Sequence, residues 1–131
     1  MRENQGLEDP VFLAIVEKES GRPLGIASYL RIHHYEGSIE VGHIHFSPLL
    51  QRTTSATESM FLMMQWAFAA GYRRYEWKCN ALNKASRRAA QGLGFSFEGI
   101  FRQMMIVKGR NRDTAWFAAI DSEWPALKTA F

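Results

Sequence analysis

Residues Ser47 to Glu58 read Ser-Pro-Leu-Leu-Gln-Arg-Thr-Thr-Ser-Ala-Thr-Glu. They join the end of an apolar-alternating segment to the start of a helical pattern. Backbone N–H groups at a helix start point outward without intrahelical partners, and the helix dipole adds partial positive charge there. Such a junction favours an anion, phosphate above all. Small side chains let a pyrophosphate approach the backbone, and Arg52 can add a charge-assisted contact. The structural alternative is an ordinary strand–loop–helix connection. Glu58, a carboxylate in the expected first turn, would compete with a phosphate for the same positive end.

A second polar group is Asn83-Lys-Ala-Ser86-Arg87-Arg88, followed by Leu93-Gly94-Phe95 and Glu98-Gly99. Asn83 is suited to cap a helix over residues 84–93, which by itself accounts for its presence. A third group is Glu40, His43 and His45. Strand alternation places both histidines on one face and Glu40 on the other, unless a bulge intervenes. Two histidines on one strand are too few for a metal site, and no third ligand is evident, so no metal is expected.

Alternating and turn-bounded runs predict strands at residues 11–16, 24–32 and 38–46, joined by short turns into an antiparallel meander. Ser55 with Glu58 three residues on fits a capping box, and a helix is expected from there to Gly71. Met60, Met63, Met64, Ala67 and Phe68 recur at helical spacing and are expected in the core. A fourth strand is expected at residues 75–79, with Tyr75, Trp77 and Cys79 on one face. Gly94 supplies a left-handed C′ position for the helix begun at Asn83. Strands at residues 97–107 and 114–120 follow, joined by a turn at Gly109 to Asn111. Ser122 is expected to cap a short last helix. The order β-β-β-α-β-α-β-β-α has no linker or repeat, and predicts one mixed α/β (α+β) domain over residues 1–131.

The order of elements, the loop before the long helix, and Asn-x-x-Ser followed by Leu-Gly-Phe and Glu-Gly resemble the GNAT acetyltransferase superfamily. The branch it is most similar to contains the ribosomal-protein N-acetyltransferases. The resemblance spans roughly residues 11–121. It implies a mainly antiparallel sheet flanked by helices, and acetyl transfer from acetyl-CoA to a primary amine. It also implies that Phe46, Ser47, Gln51, Arg52, Thr53, Thr54, Ser55, Ala56 and Thr57 hold the donor. Asn83 and Ser86 would lie near the thioester and pantetheine arm, and Arg87 near the nucleotide end. The family's loop glycine is replaced here by Thr54, whose hydroxyl, with those of Thr53 and Ser55, can donate to phosphate. The tyrosine that often acts as acid falls at Ala90. Glu40, His43 and His45 are the candidate bases, since an ammonium must lose a proton before attack. The family's usual N-terminal segment is not seen before the Val11 strand. A fragment, a short form or completion by a partner chain would account for that, and self-association at the residue 11–16 edge is expected.

The chain has 131 residues, 47% hydrophobic, with a formal net charge of +3. That suits a globular domain and an anionic ligand. One cysteine, Cys79, excludes an internal disulfide and suits a cytoplasmic setting. No apolar run is long enough for a membrane span. Basic clusters at Arg73–Arg74, Arg87–Arg88 and Lys108, Arg110 and Arg112 raise a nucleic-acid module as a competing class. The acetyl-CoA reading predicts no nucleic-acid partner and no membrane. A non-catalytic coenzyme A binder is the other alternative, motivated by Thr54 and Ala90.

Overall fold

The computed structural model describes residues 9–51 and 53–130. Six strands and three α-helices follow the chain as β1 (Val11–Val16), β2 (Pro23–His33), β3 (Ser38–Phe46), α1 (Thr54–Ala69), β4 (Arg74–Asn80), α2 (Lys84–Gly92), β5 (Ser96–Val107), β6 (Arg110–Ile120) and α3 (Trp124–Ala130). The strands form one sheet in the order β1-β2-β3-β4-β6-β5. All neighbours are antiparallel except β3 and β4. That pair is parallel because α1 carries the chain back across the sheet between them.

All three helices pack on one face. Met60, Met63, Met64 and Ala67 of α1, Ala90 of α2, and Leu127 of α3 meet Ile39, Val41, Tyr75, Trp77 and Phe117 of the sheet. Phe68 packs at the margin, stacked on Trp124 at 5.4 Å. The methionine stripe is therefore core filler, as flexible thioethers often are. α2 ends as its sequence predicts. Gly94 has φ +96°, and the Phe95 and Gly94 N–H groups donate to Ala90 O and Gln91 O, closing a Schellman motif.

Beyond shifts of a residue or so at other ends, three boundaries differ from the sequence reading. Thr53, not Ser55, caps α1: its Oγ1 accepts from Ala56 N at 3.1 Å and donates to Leu50 O at 2.6 Å. Starting α1 earlier moves Glu58 out of the first turn, so no acidic residue competes at the positive end. β6 begins at Arg110, and the hairpin turn is the pair Lys108–Gly109, with φ of 54° and 76°. Two left-handed residues match the twist of the flanking strands, as in a type I′ turn. Ser122 lies inside a 3-10 turn, Asp121–Glu123, and Glu123 Oε1 accepts from Ile120 N instead.

Candidate functional site

β3 and β4 run together only from Ser38↔Arg74 to Val41↔Trp77. Beyond that point β3 stays with β2 as far as Phe46↔Gly25, and β4 stays with β6 as far as Asn80↔Thr114. The sheet therefore parts into a wedge between residues 42–46 and 78–80. The β3 lip leads into the loop that starts α1. Ser47 N donates to Leu24 O, and buried Leu50 anchors the loop. The Gln51 side chain turns back and donates to Phe46 O at 3.1 Å.

At the start of α1, Ala56 N and Thr57 N are bonded to Thr53. The N–H groups of Thr54 and Ser55 are those the helix's own bonding does not reach. Thr54, Ser55 and Thr57 are exposed, while Ala56 is buried. Positive φ among the described non-glycine residues occurs at Arg31, His43, Gln103 and Lys108. Thr54 is not among them and starts the helix, so its β-branch is not strained there. Ser47 Oγ is cut off from solvent and has no partner among the described residues. Free N–H groups and exposed small side chains at the start of α1 suit an anionic group such as a phosphate. Arg52 lies outside the described residues.

The β3 bulge brings the titratable groups together. Ser28 pairs with Gly42 and Ile26 with His45, so two residues of β2 span three steps of β3. His43 sits in the extra position with φ 49°. Left-handed backbone at a non-glycine residue costs roughly 1–3 kcal/mol and clusters at functional sites. The bulge resets the alternation. Ile44 and Phe46 join the core margin, and His43 and His45 turn to the face that carries Glu40. His43 Nδ1 lies 2.8 Å from Ser28 Oγ, which donates to Gly42 O at 3.0 Å. A hydroxyl has one hydrogen, so when Ser28 Oγ gives it to Gly42 O the same oxygen accepts from His43 Nδ1–H, the tautomer that leaves the lone pair on Nε2. Glu40 is buried and ion-paired with Arg31 Nη1 at 3.0 Å and Lys78 Nζ at 3.1 Å.

On α2, Asn83 Oδ1 accepts from Ser86 N at 3.0 Å, the cap read from sequence. Ser86 Oγ accepts from Trp77 Nε1 at 3.0 Å, and Arg87 Nη1 donates to Ala81 O at 3.0 Å. The Ser86 bond ties α2 to β4, and the Arg87 bond ties it to the loop after β4.

A family model described as an acetyltransferase (GNAT) domain matches residues 1–96. The chain belongs to the GNAT acetyltransferase family. Among solved structures, a GCN5-related N-acetyltransferase from Brucella melitensis matches with TM-score 0.90 and 57% identity, over 93% of this chain and 56% of that one. A probable GNAT acetyltransferase from Chromobacterium violaceum matches with TM-score 0.87 and 47% identity, over 89% and 59%. The chain thus spans less than two thirds of either relative. A spermidine N-acetyltransferase from Vibrio cholerae, at 15% identity and TM-score 0.79 over 89% and 69%, shares the fold alone. No curated protein matches significantly.

GNAT acetyltransferases use acetyl-CoA as co-substrate. In this GNAT chain several residues bear on the site that the sequence reading did not single out. Ser28 orients His43, and Arg31 and Lys78 hold Glu40. Lys78 also reaches Glu76 Oε1 at 3.3 Å, and Arg74 Nε donates to Glu76 Oε2 at 2.6 Å. Burial pushes the Glu76 carboxyl up, but Arg74 and Lys78 outweigh it and hold the group below its ordinary value. Alternating charges inside the apolar strand at residues 74–78 were the available signal. Among the described residues, no group of three or more His, Cys, Asp or Glu could hold a metal. Among them too, no helix is long and apolar enough to cross a membrane.

Proposed function

We propose that the chain transfers the acetyl group of acetyl-CoA to a primary amine by direct attack on the thioester. The observation that carries this reading is the parting of β3 from β4 beyond Val41↔Trp77, directly beside the start of α1. Residues Phe46, Ser47, Gln51 and Thr53 to Thr57 shape the donor side, with Arg52 assigned to it from the sequence. The Thr54 and Ser55 N–H groups take the pyrophosphate. Asn83, Ser86 and Arg87 hold the opposite lip in place.

His43 Nε2 takes the proton from the attacking ammonium. The resulting amine nitrogen forms a bond to the acetyl carbon, the carbon–sulfur bond breaks, and coenzyme A leaves as thiolate and takes up the second proton that the nitrogen sheds, giving the amide and the free thiol. Glu40, already shared by two cations, acts through charge balance, and His45 lines the same face. Resemblance to the ribosomal-protein N-acetyltransferase branch supports a protein N-terminus as acceptor, with a small amine as the alternative. The single cysteine, Cys79, is buried and accords with a cytoplasmic setting.

Thiol release from acetyl-CoA across a panel of peptides and small amines tests the reading. Turnover with any member supports it. Donor binding without turnover across the panel supports the second reading, a non-catalytic coenzyme A binder. Ala90 favours that alternative, because a buried methyl stands where the resemblance places an acidic tyrosine.

A further inference from the structure

Three residues stand in one line across the first three strands. Phe12 of β1 is directly opposite Ser28 of β2, and Ser28 is opposite Gly42 of β3. The bulge puts His43 at the end of that line and turns its imidazole back toward β2. Its Nδ1 lies 2.8 Å from Ser28 Oγ. Its ring lies against the Phe12 ring, with centroids 5.3 Å apart and planes at 34°. Ser28 is fully buried, whereas Phe12 is 55% exposed and lies outside the core. Burial of apolar surface therefore does not explain why a large aromatic ring stands there.

The neighbouring line on the same face differs. Ala14 is opposite Ile26, and Ile26 is opposite His45. That line offers His45 neither a hydroxyl nor an aromatic ring. Both histidines are exposed. An exposed imidazole ordinarily samples several rotamers and both neutral tautomers. His43 carries three restraints: left-handed backbone with φ 49°, a buried oxygen at Nδ1, and a ring against its plane. A turn about its side-chain bonds breaks the last two together. The ring nitrogen that these contacts leave unused is Nε2.

We propose that Phe12 is a positioning residue for His43, its ring holding the imidazole so that Nε2 faces the wedge. The inference rests on the acetyl-transfer reading, in which Nε2 takes the ammonium proton, and it selects His43 over His45 as that base. Proton transfer needs the base within about 2.6–3.2 Å of the nitrogen that gives the proton. A ring that swings freely spends little of its time in that range. An aromatic pair shifts an equilibrium by about two- to tenfold, enough to favour one orientation of an exposed ring. Phe12 acts through His43 and has no proton of its own to give or take.

The test is thiol release from acetyl-CoA with a tetrapeptide bearing a free N-terminus, and separately with spermidine, in the parent, Phe12→Leu, Phe12→Tyr, His43→Ala and the Phe12→Leu/His43→Ala double variant. Phe12→Leu keeps apolar bulk and removes the flat ring. It is expected to lower kcat about fivefold and leave the KM for acetyl-CoA within about twofold, and Phe12→Tyr is expected to recover most of the loss. In the His43→Ala background Phe12→Leu is expected to cost nothing further, because residues that act through one another are not additive. A Phe12→Leu protein with the parent's kcat overturns the proposal. So does a loss confined to the KM for acetyl-CoA, or the same loss with His43 present and absent. If the parent turns over neither acceptor, the failure is that of the transferase reading, and nitrogen NMR of the neutral His43 ring decides the restraint separately. The Nδ1–H tautomer in the parent with a mixture in Phe12→Leu supports the role of Phe12, and the same tautomer in both removes it.

Discussion

His43 departs from every simple expectation for its strand. Its backbone is left-handed, its ring faces away from the helices, and its Nδ1 meets the Ser28 hydroxyl. Packing does not require this arrangement, since an alternating strand would serve the core as well. General-base groups typically contribute about 100-fold or more to a proton-transfer step. His43→Ala should therefore lower turnover by about that factor while leaving acetyl-CoA affinity within about twofold. Ser28→Ala, which frees the ring, should give a smaller loss of the same kind. Turnover of His43→Ala within about twofold of the parent would show that the proton leaves by another route. The identity of the three titratable residues was legible in the sequence, but their shared face was not. A bulge is set by the register of two strands, and no local pattern in the 38–46 segment announces it. Thr53 shows a smaller version of the same limit. Four hydroxyl-bearing residues stand at or near the helix start, and only the loop's path to Leu50 selects Thr53 as the cap.

At the scale of elements, the apex of the wedge is held by charge. Glu40 and Glu76 lie directly opposite on parallel neighbours, an arrangement that repels. Lys78 sits against both carboxylates, and Arg31 and Arg74 complete the neutralisation. Removing one partner of a buried ionic group leaves an uncompensated charge and costs about 3 kcal/mol. Lys78→Met should lower stability by about that amount in denaturant melts, and adding Glu76→Gln should restore most of it. A Lys78→Met protein as stable as the parent would mean that the cluster is a solvated surface feature. The same network sets an acid limit. The folded-state pKa of Glu76 lies below its ordinary 4.5, so the stability it contributes is present above that pH and is lost as pH falls through the lowered value. Denaturant midpoints measured from pH 7 down to pH 3 should fall, and the slope should flatten when Glu76→Gln is added. Strand identities and their order were readable from alternation and turns. The parting of β3 from β4 was not, because both strands continue with unbroken β patterns and differ only in which neighbour they keep.

For the molecule as a whole, helices cover one face of the sheet and charged and aromatic side chains occupy the other. Among the described residues β1 pairs only with β2 and lies at one edge of the sheet, where it exposes Phe12, Leu13 and Val16. Unprotected apolar edges invite strand pairing with another chain. Self-association along β1 is the proposal that follows, and sedimentation should show the weight-average mass rising with concentration. A monomeric profile throughout the range would reject it. The family was legible from the run Asn83, Ser86, Leu93-Gly94-Phe95 and Glu98-Gly99, since caps and C′ glycines are local and leave a local signature.

The donor site at the wedge is the feature on which transfer chemistry depends most. Calorimetric titration of the purified chain with acetyl-CoA tests it directly. The structure predicts one site per chain with affinity in the micromolar range, about −8 kcal/mol, weakened at least about tenfold by a bulky residue at Ala56, where burial leaves no room. No heat of binding at millimolar acetyl-CoA would contradict the account and remove the basis for assigning transferase chemistry to this chain.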